Sequence, residues 1–206
     1  MLDVCCGRGR HAVALSEMGL DVFGIDRSAG ALAHARERAP RCRFMEADTT
    51  DPPRLEERFG VVCCLWQSFG YGDDAQNERL LSWMIEHAHP EGGVVLDLYN
   101  PEFFRSRLEP RPGRLGDTSF VERKHIRDGR LRVEIEYEDG APTDVFAWRL
   151  YTPEALDAIA MRLGWRVTQA CTGFDAASEP SANSPRTQYV FRREQGSSAG
   201  GGAPTR

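Results

Sequence analysis

Met1-Leu2-Asp3-Val4-Cys5-Cys6-Gly7-Arg8-Gly9-Arg10 reads as a short buried strand that runs straight into a glycine-rich turn. Beyond it, Ala12, Val13, Leu15, Met18 and Leu20 recur at helical spacing, and Gly19 ends that helix. Asp21-Val22-Phe23-Gly24-Ile25-Asp26 then supplies a second apolar strand closed by a carboxylate. Strand, glycine turn, helix, strand and acid is the order of a βαβ half that holds a nucleoside at its strand ends. Gly7 and Gly9 let the backbone turn tightly and approach a ligand with no Cβ in the way. Asp26 is placed to accept hydrogen bonds from two adjacent ribose hydroxyls. Asp3, just before the turn, can hold it through backbone N–H groups or meet a cationic ligand group.

The pattern repeats along the chain. Ser28 is a plausible N-cap for a helix reaching Ala39, which Pro40 stops, and 43–47 is a third strand. Pro52-Pro53 is expected to open a short helix to Phe59, with Gly60 ending it. The continuous apolar run 61–66 suits a central parallel strand. From Asp74 to His89 the residues Leu80, Leu81, Met84, Ile85 and Ala88 keep helical spacing, Pro90-Glu91-Gly92-Gly93 stops the helix, and 94–98 is the fifth strand. Such repeats predict an α/β fold with a doubly wound, mostly parallel sheet and a ligand site at the carboxyl ends of the strands.

Between 103 and 150 the period changes to alternation over 120–126, 130–138 and 145–150, with Asp128-Gly129 as a hairpin turn. An antiparallel insert following the fifth strand can fold over the pocket as a lid; the alternative is a dimerisation ribbon. Thr152 and Pro153 open a helix to Leu163, closed by Gly164, and 165–172 with 187–192 complete the sheet as an antiparallel pair. The chain thus divides into a core at 1–102, a lid at 103–150, a completion of the core at 151–194, and a tail at 195–206. That tail is rich in Gly, Ser, Ala and Pro, and is expected to be disordered.

The run Leu2-Asp3-Val4-Cys5-Cys6-Gly7-Arg8-Gly9-Arg10-His11-Ala12, with Gly24-Ile25-Asp26-Arg27-Ser28, resembles the first two motifs of class I S-adenosylmethionine-dependent methyltransferases. Its Cys-Gly-x-Gly-Arg-His-Ala form is similar to a subgroup of small bacterial members. Glu46-Ala47-Asp48 resembles the adenine-contacting acidic motif, Leu65-Trp66-Gln67-Ser68-Phe69-Gly70-Tyr71 the fourth-strand motif, and Pro90-Glu91-Gly92-Gly93-Val94-Val95-Leu96-Asp97 the turn into the fifth strand. Ser184-Pro185-Arg186 before the last strand fits the same subgroup. The resemblance implies a Rossmann-like methyltransferase fold and S-adenosylmethionine as cofactor, leaving S-adenosylhomocysteine. It implies a cofactor frame of Asp3, Cys5, Gly7, Gly9, Arg10, His11, Asp26, Arg27 and Asp48, with Trp66, Gln67 and Phe69 flanking the ligand. The acceptor is expected to be an amine or hydroxyl of a small molecule or peptide. Relatives usually carry helical sequence ahead of the first strand; this chain opens on the strand, which implies an open pocket or sequence upstream.

Methyl transfer is an in-line displacement at an already activated carbon, so holding the partners in line in a water-poor pocket is most of the task. An amine need only arrive unprotonated, while a hydroxyl needs a base. Tyr71, Tyr99 and His125 are the candidate catalytic groups, His125 as the titrating one on the lid. Two further readings stand beside this one: a non-catalytic or truncated cofactor-binding module, and an NAD-dependent oxidoreductase, whose third glycine position would fall on Ala12 and whose ribose Asp26 would also suit.

Composition bounds the partners. A net charge of −5 argues against a nucleic-acid partner, whose phosphates need a basic face. No stretch approaches the ~20 apolar residues of a membrane span, and no leader precedes the first strand, so a cytoplasmic location is expected, with a homodimer as an option. The six cysteines fall as Cys5-Cys6, Cys42, Cys63-Cys64 and Cys171, without zinc-ligand spacing, so no metal is expected and small buried hydrophobes are the reading favoured over a redox role. Asp51-Pro52-Pro53 and Asn100-Pro101-Glu102-Phe103 look like a nucleobase-methylation signature, but neither follows the fourth strand.

Overall fold

All three residues of β1 (Leu2–Val4) are buried, because the strand is paired on both edges: parallel to β2 (Phe23–Asp26) on one side and to β4 (Phe59–Cys64) on the other. A strand enclosed in this way has no solvent face and must be apolar apart from residues with a task. The structure, a computed structural model, describes residues 1–194, and the tail expected at 195–206 lies outside the described residues. Outward from β1 the sheet adds β3 (Arg43–Glu46) beyond β2, and β5 (Ala88–Tyr99) beyond β4, all parallel. Next to β5 lies β11 (Arg186–Arg193), antiparallel, and then β10 (Trp165–Cys171), so the order is β10-β11-β5-β4-β1-β2-β3. The direction of winding changes between β1 and β4, and a crevice opens there at the carboxyl ends of the strands.

The helices α1 (Arg10–Glu17), α2 (Ala29–Arg38), α3 (Asp74–Glu86) and α5 (Pro153–Met161) lie on the sheet, α1 packing beside α2 and α3 beside α5. Ser28 caps α2, its Oγ accepting the Ala31 N–H at 3.2 Å, and Thr152 caps α5, accepting the Ala155 N–H at 3.3 Å. Asp73 and Gln76 close a reciprocal capping box on α3 that the periodicity did not point to. Gly19 does end α1, but Met18 and Leu20 are exposed rather than part of its buried face.

Two elements differ from expectation. Residues 52–58 form no helix: the Pro53 carbonyl accepts the Trp83 indole N–H at 2.7 Å and the Leu55 N–H donates to His87 Nε2 at 3.3 Å, so the segment is drawn out along α3 instead of coiling. Pro90-Glu91-Gly92-Gly93 lies inside β5 rather than before it. Ala88 already pairs with Phe59, and a register slip brings Gly93 opposite Val61.

The insert is a separate antiparallel sheet of β6 (Arg111–Leu115), β7 (Thr118–Arg127), β8 (Arg130–Tyr137) and β9 (Asp144–Arg149), entered through the short helix α4 (Pro101–Arg105). The β6 strand and α4 had no sequence signal. Asp128 and Gly129 join β7 to β8 with φ of 51° and 71°, the pair of left-handed residues that a two-residue hairpin needs. One face of this sheet buries Leu131, Val133 and Trp148 with Phe104, and Tyr99 from the end of β5 packs against that cluster. The Arg149 N–H donates to the Gly70 carbonyl at 2.8 Å, tying the lid to the turn after β4.

Candidate active site

The crevice at the winding reversal is a cleft of about 580 Å³, within the usual size range for small-molecule sites. Cys5, Gly7, Asp26, Arg27, Asp48 and Thr49 line one side; Ser68, Gly70 and Tyr71 line the other; Phe146 of the lid also lines it. Five of the residues expected to hold the cofactor thus meet in one place.

Asp26 is fixed before any ligand arrives. Its Oδ2 accepts the Gly7 N–H at 2.8 Å and its Oδ1 the Ser28 N–H at 2.9 Å, which locks the glycine turn to β2 and leaves each oxygen a second lone pair. Asp48 is exposed, and the Thr50 N–H and hydroxyl, each 2.9 Å from Oδ1, hold it below the usual carboxylate range. Asp3 is 1% exposed; Oδ1 accepts the Cys63 thiol at 3.7 Å and Oδ2 has no partner. Burial pushes Asp3 up to about 7, opposed by the thiol and reinforced by the charge of Asp26. An unpartnered carboxyl oxygen beneath the glycine turn is a group that a ligand cation would satisfy. Cys5, next to Thr49, is drawn below its ordinary value by the Cys64 thiol beside it.

The two glycines have different tasks. At Gly7 (φ 54°) an added Cβ would meet nothing within 4 Å, so the position faces the open cleft. At Gly9 (φ 73°) it would lie 2.9 Å from the Ala35 Cβ, so this glycine serves the packing of α1 on α2 rather than approach to a ligand.

Trp66 and Gln67 follow β4 with φ of 59° each, two successive left-handed residues without glycine. Asp97 holds this turn: its carboxylate accepts the Trp66 N–H at 2.9 Å and its carbonyl the Gln67 N–H at 3.0 Å. The same carboxylate, 1% exposed, accepts Arg186 Nε at 2.9 and 3.1 Å, Arg186 Nη2 at 2.6 Å and Gln188 Nε2 at 2.7 Å. Arg186 also lies 4.7 Å from the Trp66 ring centre, and Arg10 lies 4.4 Å from it. Sequence reading noted Asp97 only as part of a motif. A lone acid inside the apolar run Val94-Val95-Leu96-Asp97-Leu98 was the signal for a buried ion pair.

Two residues expected at the cofactor are engaged within the protein, and His11 is not among those lining the cleft. Gln67 is buried with its amide spent within the protein, Nε2 donating to the Phe69 carbonyl and Oε1 accepting the Tyr99 N–H. Phe69 is fully buried in the main core, 5.5 Å from the Tyr151 ring. His11 is half-buried beside Arg10, and burial lowers its pKa.

The catalytic candidates also separate. Tyr71 lines the cleft, and Trp148 joins it to Tyr99, with ring centres 5.2 Å and 5.3 Å apart. Burial raises both tyrosines above their ordinary value, which keeps them protonated near neutral pH. His125 lies elsewhere: it is exposed on β7 and, with Arg123, Lys124 and Pro110, lines a shallow hollow separate from the cleft. It cannot take a proton in the cleft. Asn100, part of the second proline string, caps α4 and spends its amide on the carbonyls of Ser181 and Ser184, which leaves nothing for a base.

A glycine turn with two strand-end acids at the winding reversal, under an antiparallel lid, defines the class I methyltransferase architecture. Residues 1–92 match the family described as a methyltransferase domain. The chain is 31% identical over 150 residues to the dTDP-3-amino-3,6-dideoxy-alpha-D-glucopyranose N,N-dimethyltransferase of Streptomyces fradiae, covering 69% of this chain and 57% of that protein. To the glycine/sarcosine N-methyltransferase of Aphanothece halophytica it is 30% identical over 151 residues, covering 68% and 56%. It therefore spans little more than half the length of these curated relatives. Among solved structures, an S-adenosylmethionine-dependent methyltransferase from Clostridium acetobutylicum superposes with a TM-score of 0.80 at 14% identity, covering 94% of this chain and 83% of that one. The sugar N-methyltransferase KedS8 from Streptoalloteichus superposes with a TM-score of 0.71 at 25% identity, covering 94% and 79%. The N-terminal 92 residues thus match a methyltransferase domain, and the described chain has the class I S-adenosylmethionine-dependent methyltransferase fold; these relatives favour neither the oxidoreductase nor the purely binding reading.

Proposed function

We propose that this protein transfers a methyl group from S-adenosylmethionine to the amine of a small molecule of the amino-sugar type, with Asp3, Cys5, Gly7, Asp26, Arg27 and Asp48 as its cofactor frame. The observation that carries the reading is the cleft itself, lined by the pre-ordered Asp26 carboxylate and Gly7, with the unpartnered Asp3 oxygen buried in β1 just ahead of the glycine turn. The amine is supported over the hydroxyl by the named activities of the relatives from Streptomyces fradiae and Aphanothece halophytica.

When bound, the cofactor supplies a methyl group already activated on a sulfonium. Asp26 would accept the two ribose hydroxyls with the acceptor capacity left after its bonds to Gly7 and Ser28. Asp3 offers a carboxyl oxygen to the ammonium of the methionine portion. Tyr71, which lines the cleft and is linked through Trp148 to Tyr99, forms an aromatic edge on the acceptor side, where the raised tyrosines act as donors rather than bases. A neutral amine needs no base, so the exposed position of His125 is no obstacle.

The reading includes a cytoplasmic setting, supported by six free cysteines, and no nucleic-acid partner, supported by the net charge of −5. No helix among the described residues is long and apolar enough to cross a membrane. Residues 1–102 form the core, 103–150 the lid and 151–194 the completion of the sheet, and the lid would be the face for any homodimer. The test supplies methyl-labelled S-adenosylmethionine with dTDP-3-amino-3,6-dideoxyglucose, glycine, and the 3-hydroxy counterpart of the sugar. Label on an amine nitrogen is expected. Label on the hydroxy sugar alone, or on none of the three while S-adenosylhomocysteine binds, would contradict the proposal.

A further inference from the structure

Strand register brings one ring of the lid into the cleft wall. Trp148 of β9 stands opposite Leu131 and Phe146 opposite Val133, so both rings lie on the face that buries Leu131 and Val133 with Phe104. Trp148 is buried there. Phe146, two residues earlier, is stacked on it with ring centres 5.7 Å apart and planes at 11°, yet it stays 36% exposed, because the apolar face runs past the core and ends in the cleft. Tyr71, in the turn after β4, meets the same indole edge-on at 5.2 Å and is 54% exposed in the same cleft. Two open rings from separate elements are thus braced on one buried indole. The turn that carries Tyr71 is tied down as well: the Gly70 carbonyl accepts the Arg149 N–H at 2.8 Å, and the Gly72 carbonyl accepts Arg130 Nη1 at 3.0 Å.

Rings left facing a solvent-open cleft gain by whatever removes them from water, and braced rings suit a flat partner better than a flexible chain. The acid and hydroxyl groups Asp26, Asp48 and Thr49 line the cleft from the ends of β2 and β3, whereas Tyr71 follows β4 and Phe146 belongs to the lid. We infer that Tyr71 and Phe146 form a subsite for a planar aromatic group of the acceptor, so that the amine arrives on a carrier ending in such a ring, as in a nucleotide-linked amino sugar. The inference rests on the amine-methylation reading above and concerns recognition alone, with no bond made or broken. The cofactor's own adenine is the other flat ring at hand, and the test separates the two.

Protein saturated with S-adenosylhomocysteine is titrated by calorimetry with dTDP-3-amino-3,6-dideoxyglucose and with 3-amino-3,6-dideoxyglucose 1-diphosphate, which keeps the sugar, the amine and the diphosphate but has no base. The wild type is expected to prefer the nucleotide-linked sugar by about tenfold, the scale of one base stacked on an aromatic side chain. Leucine keeps apolar cover over Trp148 without a ring, so Tyr71→Leu combined with Phe146→Leu should lose that preference, while Tyr71→Phe keeps it. Affinity for S-adenosylhomocysteine should be unchanged in both variants, which also shows that they are folded. Equal binding of the two sugars by the wild type, a preference retained by the double variant, or a double variant that loses S-adenosylhomocysteine, as contact with adenine requires, overturns the inference. Label transfer to the amine of the base-free sugar in that case would leave the proposed function standing. If the loaded wild type binds neither sugar and methylates neither amine, the proposed function fails and the inference with it.

Discussion

Asp97→Asn is the substitution with the largest expected effect on the site. The wild-type carboxylate is 1% exposed and the Arg186 side chain it pairs with is 16% exposed, so neither charge has water to fall back on. Asparagine keeps one acceptor oxygen for the Trp66 or Gln188 N–H but removes the charge that the Arg186 fork grips at 2.6 to 3.1 Å. Stranding one partner of a buried pair costs about 3–5 kcal/mol. At about 2–4 °C per kcal/mol for a domain of this size, the melting temperature should fall by roughly 10 °C. Arg186→Met should cost less, because the orphaned carboxylate keeps two N–H donors, whereas the orphaned guanidinium keeps the Asp97 carbonyl and the Trp66 and Tyr99 rings. Urea unfolding of both variants and of the double variant gives the ordering and the coupling. If Arg186→Met proves the more damaging, or if both cost under about 1 kcal/mol, the account of this pair is wrong.

Gly9→Ala combines a left-handed φ of 73° with a Cβ 2.9 Å from that of Ala35, and should lower stability by about 2–4 kcal/mol; Gly7→Ala, strained but unobstructed, should cost about 1–2 kcal/mol and act mainly on S-adenosylhomocysteine affinity. Equal urea midpoints for the two variants would contradict that division. Asp3 has a folded value of about 7 against an ordinary 3.8, so its stabilising contribution is complete below about pH 3.8 and is lost as pH rises through about 7. Asp3→Asn, neutral throughout, should therefore gain on the wild type between pH 5 and pH 8 in urea midpoints. A gap that stays constant with pH would count against the buried carboxyl.

Features set by near neighbours were legible in the chain. The caps Ser28 and Thr152 and the Asp128-Gly129 hairpin each depend on a few adjacent residues, and each stands where the pattern put it. What failed depends on distant partners. Two prolines can open a helix or leave a segment extended, and at 52–58 the decision lies with Trp83 and His87 of the following helix and its cap. Gln67 and Phe69 matched a ligand-contacting motif, but only the fold shows that Tyr99 takes the amide and that Tyr151 lies against the ring. His125 lay on a correctly recognised strand; one step of alternation separates it from the face that meets the core, and single-sequence reading did not resolve that parity. The Asp97–Arg186 pair joins antiparallel neighbours far apart in the chain, so neither residue's partner is visible locally.

Titration calorimetry with S-adenosylhomocysteine, on the wild type and on Asp26→Ala, addresses the central claim most directly. Micromolar binding to the wild type, abolished by the substitution and not reproduced by NADH, is the predicted result. A folded wild type that binds NADH instead, or an Asp26→Ala protein that binds S-adenosylhomocysteine as tightly as the wild type, would contradict it.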